Sequence, residues 1–167
     1  NEINPTKIKK IKIGSYQKTY EICHNPNPKT PYEAKFSSEY CAAMAIIKGR
    51  ALRSDDFLKE NLQDSSVKNL MNIVDLKIDK GCQNVFPKAR SANVEVVTLD
   101  GEVFAHFAPT RKGDPDNPLS DSELSSKYTD LVEPVAGKPM GEALLSALWS
   151  AEKLKSIKDL DLENLRR

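Results

Sequence analysis

Between Glu33 and Tyr40 the chain places two carboxylates, an ammonium, two hydroxyls and a phenol within the stretch EAKFSSEY, directly ahead of the apolar run Cys41–Ile47. A helix that begins here presents free backbone N–H groups and a partial positive charge at its first turn, and both attract carboxylates. Tyr40 at that end can donate a hydrogen bond to a substrate oxygen or act as an acid, with Lys35 and Ser37 beside it as further donors. The same residues also read as packing, with Tyr40 under a sheet and its hydroxyl satisfied. Cys41 and the alanines after it are small enough for the helix to lie close to its neighbours.

Elsewhere the chemistry is sparse. The two histidines, His24 and His106, stand 82 positions apart, and neither has an obvious nucleophile beside it. His24 follows Cys23 and reads as a loop histidine. His106 alternates out of phase with Val103, Ala105 and Phe107 and reads as a solvent-facing strand residue. Arg111-Lys112-Gly113-Asp114 offers a guanidinium and an ammonium to a carboxylate, although Gly113, Pro115, Asn117 and Pro118 also describe a simple turn. Three cysteines without C-x-x-C spacing argue against a disulfide framework or a zinc site and for a reducing compartment. No G-x-G-x-x-G, P-loop, G-x-S-x-G or H-E-x-x-H pattern is present.

The elements that must carry these residues follow from period and punctuation. Ile8, Ile11 and Ile13 among lysines predict a strand continuing through Tyr16 and Tyr20. His24–Glu33 holds three prolines and predicts an irregular connection. A helix is expected at Ser38–Arg50, closed near Gly49. Short helices follow, carrying Phe57, Leu58 and Leu62 and then Val67, Leu70, Met71 and Val74. VDLKID reads as a strand, and NVEVVTLDGEVFAHF reads as a hairpin turning at Asp100-Gly101 in two residues. Ser120 and Glu123 have capping-box spacing ahead of Leu124, Tyr128 and Leu131. An amphipathic helix is expected at Glu142–Leu154, with a further turn or two in the tail. Strands and helices do not alternate strictly. The expected fold is α+β: one small, mostly antiparallel sheet with helices packed on one side, forming a single domain over residues 1–167.

A chain of 167 residues, 39% hydrophobic and 29% charged, is long enough for one sizeable globular core. With 25 basic and 24 acidic side chains it has no global field to gather nucleic acid. Its longest apolar run is seven residues, Cys41–Ile47, far short of the roughly 20 that cross a bilayer. No basic-then-apolar leader opens the sequence, and its start at Asn1 without methionine suggests cleavage or a piece of a longer polypeptide.

EAKFSSEYCAAMAIIKGR, then ANVEVVTLDGEVFAHF, then KGDPDNPLSDSELSSKYTDL resemble, in that order, the C-terminal part of the MmgE/PrpD family. That family includes 2-methylcitrate dehydratases, cis-aconitate decarboxylase and an iminodisuccinate epimerase. The resemblance implies a lid domain from a two-domain enzyme, with the active site between the lid and a large helical domain absent here. It implies a lyase that needs no cofactor and no metal and acts on a small di- or tricarboxylate. The most specific expectation is dehydration of 2-methylcitrate in propionate catabolism, with decarboxylation, epimerisation or a non-catalytic binding lid as alternatives. Tyr40 matches a tyrosine that reaches the substrate pocket in the decarboxylase branch, and Lys35 matches a position that is basic in relatives. Tyr40 is thus the expected catalytic residue, and Tyr40, Lys35 and Ser37 the expected substrate contacts. No role is implied for His24, His106 or Arg111. The implied partners are the carboxylate, the helical domain and a second subunit, with neither nucleic acid nor membrane. The implied location is the cytoplasm, or the mitochondrial matrix in a eukaryote.

Overall fold

The computed structural model describes residues 3–160; of the further turn or two expected in the tail, a 3-10 turn forms at Ile157–Leu160 and the rest lies outside the described residues. Contacts divide the chain into two compact units, residues 1–117 and 118–167.

The first unit is built on a four-stranded sheet in the order β2-β1-β3-β4, with β1 at Ile8–Ser15, β2 at Val74–Ile78, β3 at Ala92–Thr98 and β4 at Val103–Ala108. The fold is α+β, but the sheet is mixed rather than mostly antiparallel. β3 runs antiparallel to both β1 and β4, whereas β2 runs parallel to β1. The reason is the long crossover: α1 (Gln17–Cys23), α2 (Pro31–Lys35), α3 (Ser38–Lys48), α4 (Lys59–Gln63) and α5 (Ser65–Met71) all lie between the two parallel strands. A parallel pair needs such a connection, because a tight turn can only reverse the chain.

A register shift between Ile8 and Lys10 brings both Ile8 and Ile11 to the buried face although they are three apart. They meet Val96, Tyr40, Met44, Val67 and Met71 in one core beneath the sheet. The other face of the sheet carries Lys10, Lys12, Asp75 and Glu95, and at one end Asp79, which caps the short α6 (Lys80–Val85).

Two sequence expectations shift for physical reasons. β1 stops at Ser15, and Tyr16 and Tyr20 belong to the start and body of α1 rather than to the strand. Their i,i+4 spacing is helical, and Gln17 Nε2 donates to Glu21 Oε1 across one turn at 2.8 Å. In β4 the apolar alternation points the other way: Val103 and Phe107 are more than half exposed, while Phe104 packs against the core. The sequence VFAHFA is apolar at both phases, so period two does not choose a face. The hairpin also uses three loop residues, because Gly101 N–H donates to Thr98 at 3.1 Å and Thr98 N–H to Glu102 at 2.9 Å. Gly101 takes φ +85°, the left-handed position of a turn followed by a one-residue bulge.

The second unit is a helical hairpin of α7 (Asp121–Ala136) and α8 (Lys138–Trp149). The Ser120–Glu123 capping box forms as expected: Glu123 N–H donates to Ser120 Oγ at 3.3 Å and Ser120 N–H to Glu123 Oε2 at 2.8 Å. α7 continues through Pro134 and ends only at Gly137, which has φ +76°. α8 starts earlier and stops earlier than Glu142–Leu154, with a short 3-10 turn after it. Trp149 Nε1 donates to Ser125 Oγ at 3.0 Å, joining the two helices. No helix among the described residues is long and apolar enough to cross a membrane.

Candidate functional site

The start of α3 brings Ser37 and Tyr40 together, and both of their hydroxyls have determined partners. Thr30 caps α2 by accepting from Glu33 N–H at 3.2 Å, with Pro31 at the first helical position, where no N–H is needed. Two residues after α2 ends, Ser37 caps α3, its Oγ accepting from Tyr40 N–H at 3.0 Å. The Ser37 hydroxyl proton goes to the Asn25 carbonyl at 2.6 Å, which ties the proline-rich connection to the helix. At the other end Gly49, at φ +61°, donates its N–H to Ala45 and closes α3.

Tyr40 is wholly buried, and its phenol donates to the backbone carbonyl of Asp56 at 2.6 Å. Burial, with the Asp56 charge second, pushes the phenol up to about 12. It therefore stays protonated through the physiological range and is a donor rather than a base. The Asp56 carboxylate is itself buried. It accepts from Arg50 Nη1 at 2.8 Å and Nη2 at 3.0 Å, and from Arg53 N–H at 2.7 Å. Burial alone would raise its pKa, but the Arg50 fork, the Arg53 amide and the charge of Lys48 outweigh it and hold it below the usual aspartate range.

Lys35 does not converge with the other two. It is exposed, with its ammonium 5.9 Å from the centre of the Phe57 ring. Ser37 and Tyr40 are adjacent in space through the cap, but both hydroxyl protons are committed to main-chain carbonyls. Tyr40 borders a groove of about 320 Å³ together with Asn27, Leu62, Lys68, Met71 and Asn72.

The structure also assembles a pair that sequence order hides. Glu39 is 1% exposed, and its Oε1 lies 2.5 Å from His24 Nδ1 while its Oε2 accepts from Asn25 N–H at 3.1 Å. The His24 ring stacks on Tyr20 at 4.6 Å between centroids. A histidine gripped at Nδ1 by a buried carboxylate has a fixed ring orientation, as general bases do. The two residues are 15 positions apart, and the one sequence signal was a carboxylate beside Tyr40 on the inward side of an apolar helix. Close by, burial pushes the Cys41 thiol up to about 11, with Cys23 and Glu39 adding to the shift, so it is a poor nucleophile.

The remaining candidates are occupied by structure. Arg111 makes two side-chain bonds to Asp114, at 3.2 Å and 2.7 Å, inside a turn closed by Gly113. The uncovered sheet face forms a depression of about 660 Å³, but its cations have partners there. Lys10 and Lys77 pair with Asp75, and Lys12 with Glu95. No group of three or more histidine, cysteine or acidic residues suited to a metal occurs among the described residues.

Residues 1–151 match the family model for the MmgE/PrpD C-terminal domain. The chain belongs to the MmgE/PrpD family. No curated protein matches it. The match takes in the whole sheet, the capped start of α3 and both hairpin helices of this MmgE/PrpD chain, so every candidate residue above falls within it.

Proposed function

We propose that this MmgE/PrpD chain is the lid of a lyase that acts on a small di- or tricarboxylate, with 2-methylcitrate the favoured substrate and dehydration the favoured reaction. The observation that carries the reading is the family match over residues 1–151, a match to the C-terminal domain. The chemistry is abstraction of a proton beside a carboxylate, with hydroxide departing under acid assistance. Hydrogen-bond donors steady the charge that develops. Tyr40 supplies one such donor from the lid side. Its high pKa suits a donor, and a substrate oxygen would have to replace the Asp56 carbonyl as its acceptor. In this reading the rest of the site comes from a helical domain, and the complete enzyme is a homodimer in the cytoplasm or mitochondrial matrix.

One observation favours a second reading, a carboxylate-binding lid without turnover: the protons of Ser37 and Tyr40 are already spent on main-chain carbonyls. The deciding experiment incubates a polypeptide carrying this chain and a helical MmgE/PrpD domain with 2-methylcitrate, cis-aconitate and iminodisuccinate, with products read by NMR. Appearance of 2-methylaconitate is the expected result. Decarboxylation or epimerisation would reassign the reaction within the family. Carboxylate binding with no conversion of any of the three would replace the lyase with the second reading.

A further inference from the structure

The groove beside Tyr40 differs in charge from two other depressions of the first unit. The hollow on the sheet face sets Asp75, Asp79 and Glu95 among its lysines. Another, of about 340 Å³ and lined in part by Ile8 and Leu70, carries no charged residue. The groove of Tyr40 has Lys68 and, among the described residues, no carboxylate in its lining. Lys68 Nζ donates to the neutral Gln63 Oε1 at 3.0 Å, and no carboxylate pairs with it among the described residues. Asn72 lies four residues on, at the C-cap of α5, and so shares a helix face with Lys68. Its exposed side-chain amide has no protein partner among the described residues. From the proline-rich connection, Asn27 Oδ1 accepts from Lys29 Nζ at 2.7 Å, which leaves the Asn27 amide hydrogens as donors. That connection is held in place, because Asn25 accepts from Ser37 Oγ at 2.6 Å and donates its N–H to Glu39 Oε2 at 3.1 Å. Leu62 and Met71, 5% and 6% exposed, add apolar surface to the lining. An ammonium and amide donors beside buried aliphatic side chains suit a carboxylate on a short hydrocarbon.

We infer that this groove is the lid's carboxylate subsite. Lys68 pairs with one carboxylate of a small di- or tricarboxylate, Asn72 and Asn27 donate to its oxygens, and Leu62 and Met71 meet the adjoining hydrocarbon. The inference rests on the proposed carboxylate chemistry and adds the residues that hold the substrate. Ser37 and Tyr40 have their protons on main-chain carbonyls. Lys68 uses one of its three N–H groups within the fold, so it and the two asparagines can bind a ligand without breaking an internal bond.

The test reads binding and turnover separately. Backbone amide shifts of the nitrogen-15-labelled chain are followed while 2-methylcitrate, succinate or neutral acetamide is added. Both carboxylates are expected to shift Asn27, Lys68 and Asn72, and acetamide to shift none of them. Lys68→Met should weaken 2-methylcitrate binding about 3- to 5-fold, the range for an exposed ion pair. Lys68→Glu should abolish it with circular dichroism unchanged, since the position is exposed. Lys127→Met removes the same charge from α7 and should leave binding as it was. In a polypeptide that also carries a helical domain, Lys68→Met is expected to raise KM ~10-fold with kcat retained, as loss of uniform substrate binding does. Conversion of 2-methylcitrate with an unchanged KM in Lys68→Met would overturn the subsite and leave the lyase standing. If the wild type converts no carboxylate, the lyase falls, and the shifts alone decide the subsite. No shift at Asn27, Lys68 and Asn72, or shifts that persist in Lys68→Glu, would overturn it.

Discussion

Tyr40 and Asp56 stabilise each other through different atoms, a phenol on a main-chain carbonyl and a carboxylate in a guanidinium fork. Tyr40→Phe removes the donor and leaves a buried carbonyl unpaired, at a cost of about 1–3 kcal/mol. The melting temperature should fall accordingly. In the complete enzyme, a catalytic Tyr40 predicts a loss in kcat/KM of at least ~10-fold, about 1.4 kcal/mol of transition-state stabilisation. A normal rate together with a lowered melting point would confine Tyr40 to packing. Asp56 makes a prediction in pH. Its folded pKa is depressed, so its contribution to stability is full above the ordinary aspartate value, about pH 4, and is lost as pH falls through the lower folded value. Urea midpoints should therefore drop on acidification below about pH 4. Arg50→Gln should lower the midpoint at neutral pH and flatten that acid limb.

α3 is the element on which the site depends, and its boundaries were legible because caps are local chemistry. A serine before the first turn and a glycine after the last mark Ser38–Lys48 to within two residues of the expected span. Ser37→Ala is expected to cost about 1–2 kcal/mol in chemical denaturation, since the one hydroxyl both caps α3 and holds Asn25. Ser37→Thr keeps both bonds and should recover most of it. The hairpin was legible for a similar reason, an Asp-Gly dipeptide between alternating strands. What sequence did not disclose is what long-range geometry decides. The parallel pairing of β2 with β1 depends on a crossover of more than fifty residues. The side on which β4 hides its aromatic rings depends on β3, because Phe104 and Phe107 satisfy either phase equally. The His24–Glu39 pair needs α1 and α3 to be packed before its two halves meet. Tyr40 was singled out by its place at a helix start and by the family resemblance, but only packing showed that its proton is already in use.

At the scale of the whole molecule, the two units differ sharply in how much they enclose. Residues 1–117 hold the sheet and its core, whereas α7 has no buried residue and α8 buries only Gly141 and Leu144. Few buried apolar contacts mean a low local unfolding free energy, so the helical hairpin should open before the sheet. The bond from Trp149 to Ser125 makes this measurable, because Trp149 is the single tryptophan of the chain. Its emission reports on the hairpin alone, while the tyrosine near-ultraviolet signal is dominated by the first unit, which holds four of the five tyrosines. Denaturant titrations followed by the two signals should give separate midpoints, with tryptophan first. Coincident curves would mean one cooperative unit. Light absorbed at one indole thus distinguishes the stability of a two-helix appendage from that of the sheet, with no label added.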